Sequence, residues 1–322
     1  MSGMFAGVDL GGTKIACAVA EADGRIVRTQ AVPTQSHEGP AAVLARIAQL
    51  VADVAQGARL QSLGVGVPGL VDLETGTTLF FPNLPTQWRG VPAAAALRER
   101  LGCPVLLLND CRVAALGELH YGLGRDVRDM ALFMLGTGIG GGLVIDRRLR
   151  LGPLGAAGEI GHQTVAPDGP LCGCGNRGCL EAVASGPAIT GEGVRLLRGG
   201  MAPALHEIVG GDAGRVGPAT MAQAARAGDA AVRAAIERAA GYLGIGVANT
   251  VTTLHPELVV LGGGVSALGD LILAPVRAAL PARVGMFPVD GVRVELSELG
   301  ERAGIHGAVA LARTGGGLLR AP

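Results

Sequence analysis

Three cysteines and a histidine stand close together in the chain, as Cys172-Gly-Cys174-Gly-Asn-Arg-Gly-Cys179 with His162 ten residues before the first of them. Thiolate and imidazole are preferred zinc ligands, and a Cys₃His set fills all four tetrahedral positions. A zinc ion so held is structural, because no coordination position is left for an activated water. That closure counts against a zinc hydrolase. The competing reading is three packing thiols, but the dense spacing and polar, glycine-rich surroundings favour His162, Cys172, Cys174 and Cys179 as a metal set. Glu159 and Glu181 flank the cluster. They suit a hydroxyl-rich ligand, or they are solvated surface charges. Cys17, Cys103 and Cys111 lie in or beside apolar segments and read as small packing residues.

A second kind of chemistry opens the chain. Residues 5–19 read FAGVDLGGTKIACAV, an apolar run into Asp9, then Gly11, Gly12, Thr13 and Lys14, then apolar again. A Rossmann loop would open a helix and a Walker loop would end in Gly-Lys-Ser/Thr; this stretch returns to a strand instead. The glycines form either a plain hairpin turn or a cradle whose amides and threonine hydroxyl donate to phosphate oxygens. Asp9 would repel bare phosphate but suits Mg2+ or its bound water. Lys14 is the only lysine in the chain. A matching turn, Gly136-Thr137-Gly138 within LGTGIGGG, and a third run, Gly262-Gly263-Gly264, shift the balance towards a nucleotide. Asn109-Asp110 ends an apolar run and opens a helix. An acid there is either an N-cap or a rigidly held general base.

The elements that carry these residues repeat. Strands are expected over 5–10, 15–20 and 26–32, a helix over 40–56, a strand over 63–67, a polar hairpin over 72–76, a helix over 92–101 and an apolar strand over 104–108. The pattern returns with strands over 130–135, 143–145 and 149–151, joined by a glycine turn over 136–142. A long helix over 229–254, a buried strand over 258–261, a helix from about 267 and a closing helix over 304–313 follow. A duplicated β-meander followed by helices predicts an α/β fold of two related lobes facing each other across a cleft. At 322 residues with 49% hydrophobic residues the chain can bury a large core. Its 27 basic and 27 acidic side chains give no reason to expect nucleic acid or a membrane as partner. No apolar run reaches the roughly 18 residues needed to span a bilayer, and no leader pattern is visible, so a cytoplasmic protein is expected.

Taken together, GVDLGGTK, PG, PNL, ND, LGTGIGGG, GEIGH, CGCGNRGCLE and LGGG, in that order, resemble the ROK family of sugar kinases. The resemblance covers nearly the whole chain, and its most specific part is residues 158–181. It implies a two-lobed actin-like and hexokinase (ribonuclease H-like) fold, with a small lobe over 1–115 plus 304–322 and a large lobe over 116–303. It also implies ATP-dependent phosphorylation of a hexose, with glucose to glucose 6-phosphate first, N-acetylmannosamine or N-acetylglucosamine next and fructose behind. In that reading Asp110 is the general base. Asn83, Asn109, Glu159, His162 and Glu181 bind sugar, and His162 ligates zinc as well. Asp9, Gly11, Gly12, Thr13, Lys14, Gly136, Thr137 and Gly138 hold the phosphates of Mg-ATP, with Gly262, Gly263 and Gly264 near the nucleoside. Lobe closure would exclude water, and a homodimer or homotetramer is expected. One departure stands out: Cys111-Arg112 follows the Asn-Asp pair where the family commonly has a small residue and then Asn. The family also contains repressors with a winged-helix segment ahead of the first loop; here that loop begins at Asp9, which leaves no room for one, so a repressor is not expected. A non-catalytic sugar sensor is the alternative from another class, disfavoured by Asp9, Lys14 and Asp110 occurring together.

Overall fold

The computed structural model describes residues 3–81, 84–315 and 317. The chain forms two compact units, Met1–Asp126 with Gly142–Gly158 and Glu301–Pro322, and Val127–Gly141 with Glu159–Gly300.

In the first unit, β1 (Met4–Leu10), β2 (Lys14–Ala20) and β3 (Ile26–Pro33) form the expected meander. Helix α1 (Pro40–Ala55) starts with proline, whose missing N–H costs nothing at a helix N-terminus. Strand β4 (Leu60–Val67), the short hairpin of β5 (Leu70–Val71) and β6 (Thr78–Phe80), α2 (Ala93–Leu101), β7 (Val105–Asn109) and α3 (Asp110–Tyr121) follow. The sheet order is β3-β2-β1-β4-β7, with β1, β4 and β7 parallel.

The rest of the chain repeats the plan. Strands β8 (Met130–Leu135), β9 (Ile139–Ile145) and β10 (Arg148–Leu149), the last within the first unit, are followed by helices α4 (Leu180–Ala184), α5 (Gly186–Arg198), α6 (Pro203–Val209), α7 (Pro218–Arg226) and α8 (Ala230–Leu254). Then come β11 (Leu258–Gly262), α9 (Asp270–Arg283), β12 (Arg293–Leu296) and α10 (Ala303–Thr314), which returns to the first unit. The order β10-β9-β8-β11-β12, with β8, β11 and β12 parallel, matches the first sheet strand for strand. The unit boundary passes through β9 after Gly141.

Two expectations change. The glycine turn expected over 136–142 is only the link Gly136-Thr137-Gly138, and Gly140 to Gly142 lie inside β9. For Gly141 and Gly142 the reason is that neighbours come close: a Cβ on Gly141 would overlap Ile160 and one on Gly142 would lie 2.5 Å from the Ala115 Cβ. Helices α4 to α7 were not announced by residue periodicity. Three of them carry proline in the first turn, and α4, α5 and α7 pack against α8, which supplies stability that short helices lack alone. Residues 115 and 116, where the lobes were expected to divide, lie inside α3, and the chain leaves the first unit only after Asp126. No helix among the described residues is long and apolar enough to cross a membrane.

One face of the first sheet is covered by α1, whose Val43, Ile47 and Val51 are buried with Val8, Ile15 and Val65. Burial of each such side chain contributes about 1.5–3 kcal/mol. The other face receives α10 at backbone distance. A Cβ on Gly7 would lie 2.6 Å from Val309 N, and Cβ atoms on Gly64, Gly117 and Gly307 would collide with the carbonyls of Ala308, Ala303 and Val113. Ser62 Oγ donates to Ala312 O at 2.7 Å, fixing the far end of α10 on β4.

Gly307→Ala should therefore destabilise the protein by about 3 kcal/mol or more, since a rigid carbonyl cannot move aside. Gly291→Ala, where a Cβ meets nothing within 4 Å, should leave the melt unchanged. Thermal unfolding of both variants checks this.

Candidate active site and metal centre

In the first unit the parallel strands β1, β4 and β7 bring their carboxyl ends together, the usual ligand edge of an α/β sheet. Asp9 pairs with Gly66, and Val67 with Asn109, so Asp9, the Pro68-Gly69 turn and Asn109-Asp110 share that end of the sheet. The hairpin Gly11-Gly12-Thr13 closes β1 onto β2 through Gly11 N to Lys14 O at 2.9 Å. Thr34 grips it from outside, its N donating to Thr13 O at 2.8 Å and its Oγ1 to Gly11 O at 2.7 Å. Gly12, Thr13 and Lys14 are exposed, so the tip of the hairpin faces solvent. Lys14 Nζ lies 3.8 Å from Glu301 Oε2 with both side chains well exposed, an ion pair of little energetic weight.

Burial pushes the Asp9 carboxyl up from its ordinary 3.8 to about 6, the Asp110 charge pushes it the same way, and Lys14 draws it down. Two acids that sense each other beside one ammonium group form a place where added positive charge is favourable. A Cβ on Gly304, at the start of α10, would lie 2.6 Å from Asp9 Oδ2, so the helix end closes over the carboxylate.

Asn109, not Asp110, is the N-cap of α3: its Oδ1 accepts from Cys111 N at 3.0 Å and Arg112 N at 3.3 Å. Asp110 is the first helical residue, half-buried, with Oδ1 accepting from Cys111 N at 2.8 Å. The capping that could have explained an acid at 110 is thus done by its neighbour. Cys17 and Cys103 are core residues as expected, and burial pushes the Cys17 thiol up to about 12. Asn83 lies outside the described residues.

In the second unit, the Gly136-Thr137-Gly138 link is held from three sides. Gly186 N donates to Gly136 O at 2.9 Å, Gly136 N to Gly138 O at 2.9 Å, and Ile139 N to Glu181 Oε2 at 2.9 Å. The third glycine run lies against Leu135, the residue before that link. Gly263 has φ +85°, and a Cβ there would lie 2.5 Å from Leu135 O, so only glycine fits. Glu159 is exposed and precedes a short 3-10 turn, Ile160–His162.

The ligand atoms of His162, Cys172, Cys174 and Cys179 all lie within 4.8 Å of one another. Cys172 Sγ is 3.7 Å from His162 Nδ1, and Cys174 Sγ is 3.7 Å from Cys179 Sγ. Tetrahedral zinc bonds of about 2.3 Å to sulfur and about 2.05 Å to nitrogen put ligands about 3.6–3.8 Å apart. A disulfide would need sulfurs about 2.05 Å apart. The four side chains therefore fit one zinc ion. Gly178, at φ +64°, lets Cys179 turn into the cluster, and a Cβ there would collide with Ala166 O. Glu181 joins cluster to loop: its Oε1 is 3.7 Å from Cys172 Sγ while Oε2 holds the Ile139 amide.

Sequence reasoning missed two features. Glu181 reads in the sequence as a sugar ligand or a solvated surface charge, and its grip on the loop needs the fold to be seen. Arg112 was noted only as a departure, whereas it is buried and bonded to Asn109 Oδ1 at 2.8 Å. A cation within an otherwise apolar run, CRVAAL, was the available signal.

The Asp9 shift has a definite pH signature. The native state holds that proton more tightly than the unfolded chain, so the stabilisation is complete below about pH 4 and is lost as pH rises through about 6. The loss is about 3 kcal/mol at most. Asp9→Asn should flatten this slope and exceed the wild type in stability above pH 6. Denaturant midpoints between pH 4 and 8 measure it.

The sequence pattern of the ROK family matches residues 5–315. A glucokinase of Thermotoga maritima is 37% identical over 313 residues, covering 95% of this chain and 96% of that one. A glucokinase of Streptomyces coelicolor is 36% identical over 316 residues, covering 97% and 98%. A solved ROK family glucokinase from Streptomyces griseus, in complex with glucose and AMPPNP, superposes with a TM-score of 0.83 at 36% identity and covers 97% of this chain and 100% of that one. Family match, near-complete identity span and shared fold agree with the duplicated sheets and glycine links described above: this chain belongs to the ROK family.

Proposed function

We propose that this chain transfers the γ-phosphoryl group of ATP to the 6-hydroxyl of glucose. The observation that carries this reading is the gathering, at one end of the first sheet, of Asp9, Asp110 and a glycine hairpin bearing the only lysine. Its likeness over nearly the whole chain to glucokinases, one of them solved with glucose and AMPPNP, supports glucose and ATP as the substrates.

In this reading Asp110 accepts the proton of the 6-hydroxyl as its oxygen bonds to the γ-phosphorus and the bond to the β-phosphate oxygen breaks, releasing ADP. Such transfers rely chiefly on alignment and charge neutralisation. Gly11, Gly12, Thr13, Lys14, Gly136, Thr137 and Gly138 hold the phosphates, and Gly262, Gly263 and Gly264 serve the nucleoside side. Mg2+ accompanying the nucleotide would neutralise phosphate charge, with Asp9 as the acid that meets it or its water. Asn83, Asn109, Glu159, His162 and Glu181 contact the sugar. The cysteine cluster holds zinc through His162, Cys172, Cys174 and Cys179. Ligation through Nδ1 leaves the His162 Nε2–H to donate to a hydroxyl. The assembly in this reading is a homodimer or homotetramer.

The test is ADP release from Mg-ATP with glucose, N-acetylmannosamine, N-acetylglucosamine, mannose and fructose offered separately. Glucose should give the strongest turnover; an N-acetyl sugar in first place would reassign the substrate, and silence with all five would remove the kinase reading. Asp110→Asn should bind glucose within a few-fold of wild type and lose about 10²–10⁴ in turnover. Near-normal turnover would sink Asp110 as the base.

Cys174→Ser should lower bound zinc, measured by elemental analysis, together with the unfolding temperature and glucose affinity. Stoichiometric zinc in that variant would mean that the ligands are wrongly assigned.

A further inference from the structure

Arg112 is 1% exposed and the largest of the fully buried side chains among the described residues. An ionised guanidinium in such a place is costly unless its donors are met. Here Nη1 donates to Asn109 Oδ1 at 2.8 Å, Nε to Ala157 O at 3.2 Å, and Nη2 to Ala156 O at 3.0 Å and Ala157 O at 3.1 Å. The planar fork thus ties the end of β7 to the segment at residues 156–157. Lysine, with its single nitrogen, could not span both.

The consequence falls on Asn109. Its Oδ1 accepts from Arg112 Nη1, Cys111 N and Arg112 N together, the guanidinium bond being the shortest. Three donors on one oxygen decide which way the carboxamide faces, so Nδ2 takes the opposite side and gives one hydrogen to Gly69 O at 3.3 Å. An amide nitrogen has two hydrogens. The second is what Asn109 presents to a ligand, and beside it Asp110 presents an acceptor. The pair therefore reads a sugar with fixed polarity: one hydroxyl oxygen accepts from Asn109, while another group donates to Asp110.

We propose that Arg112 is a positioning residue that locks Asn109 as a hydrogen-bond donor to the sugar. This rests on the reading of the site as a hexose kinase. Arg112 is itself buried; it acts through the carboxamide and through the 156–157 carbonyls.

The experiment measures glucose and ATP kinetics for wild type, Arg112→Met, Arg112→Lys, Asn109→Ala and the Arg112→Met/Asn109→Ala double variant. Arg112→Met should raise KM for glucose about tenfold while KM for ATP stays within about twofold, and Arg112→Lys should not rescue it. In the Asn109→Ala background the Arg112→Met change should have little further effect on glucose KM, because the group it positions is gone. Millimolar guanidinium should partly restore the glucose KM of Arg112→Met. Additive effects in the cycle, or equal losses for glucose and ATP, would overturn the proposal. If Arg112→Met does not fold, Asn109→Asp decides. It keeps the cap and an acceptor for Arg112 but has no donor hydrogen, so it should fold and lose glucose affinity at least tenfold; unchanged affinity would refute the donor assignment. A wild-type protein without hexose turnover would instead count against the kinase reading itself.

Discussion

Everything at the candidate site of the first unit rests on one close approach: α10 lies against β1, β4 and α3 with backbone, not side chains, in contact. Gly7 and Gly64 on the sheet, Gly117 on α3 and Gly307 on α10 each face a backbone atom where a Cβ would collide. That packing holds the parallel strand ends in register and brings the start of α10 over the Asp9 carboxylate. The cost is four conformationally loose residues, which an unfolded chain would exploit. It is offset by the close packing of backbone on backbone.

On that floor, electrostatics sets the site's character. Asp9 is kept from ready ionisation by burial and by the Asp110 charge, with Lys14 opposing both. Carboxylates that repel each other are tolerated in a folded protein when a bound cation or substrate relieves them, and such perturbed acids cluster at functional sites. Asn109 separates the tasks of neighbouring residues by taking the helix cap itself. The carboxylate at 110 then has a fixed place at the helix start without being consumed by the capping bonds to Arg112 N.

The second unit solves a parallel problem by other means. Its glycine link is fastened from the helix side by Gly186 N and from the cluster side by Glu181, whose two oxygens face the Ile139 amide and Cys172. Glu181 thus links loop and cluster within the second unit.

Much of this was legible in the residues. Short apolar segments bounded by turn residues marked the strands β1 to β3, the 3.6 spacing of Val43, Ile47 and Val51 marked α1, and the Cys-Gly spacing around Cys172, Cys174 and Cys179 marked three thiols that the fold gathers with His162, because these patterns are local. Other features were out of reach. Gly140 to Gly142 looked like turn residues, yet lie in β9, and what Gly141 and Gly142 accommodate, Ile160 and Ala115, is distant in the chain. Helices α4, α5 and α7 draw on packing against α8, which no short window contains. The exchange of capping duty between Asn109 and Asp110, and the burial of Arg112 against Ala156 and Ala157, likewise depended on which atoms the fold brought within hydrogen-bond reach. The sequence by itself determined the chemical groups and the elements bearing them, because propensity and periodicity act over a few residues. Only the tertiary structure decided which donor meets which acceptor, because that choice is made by contacts between segments far apart in the chain.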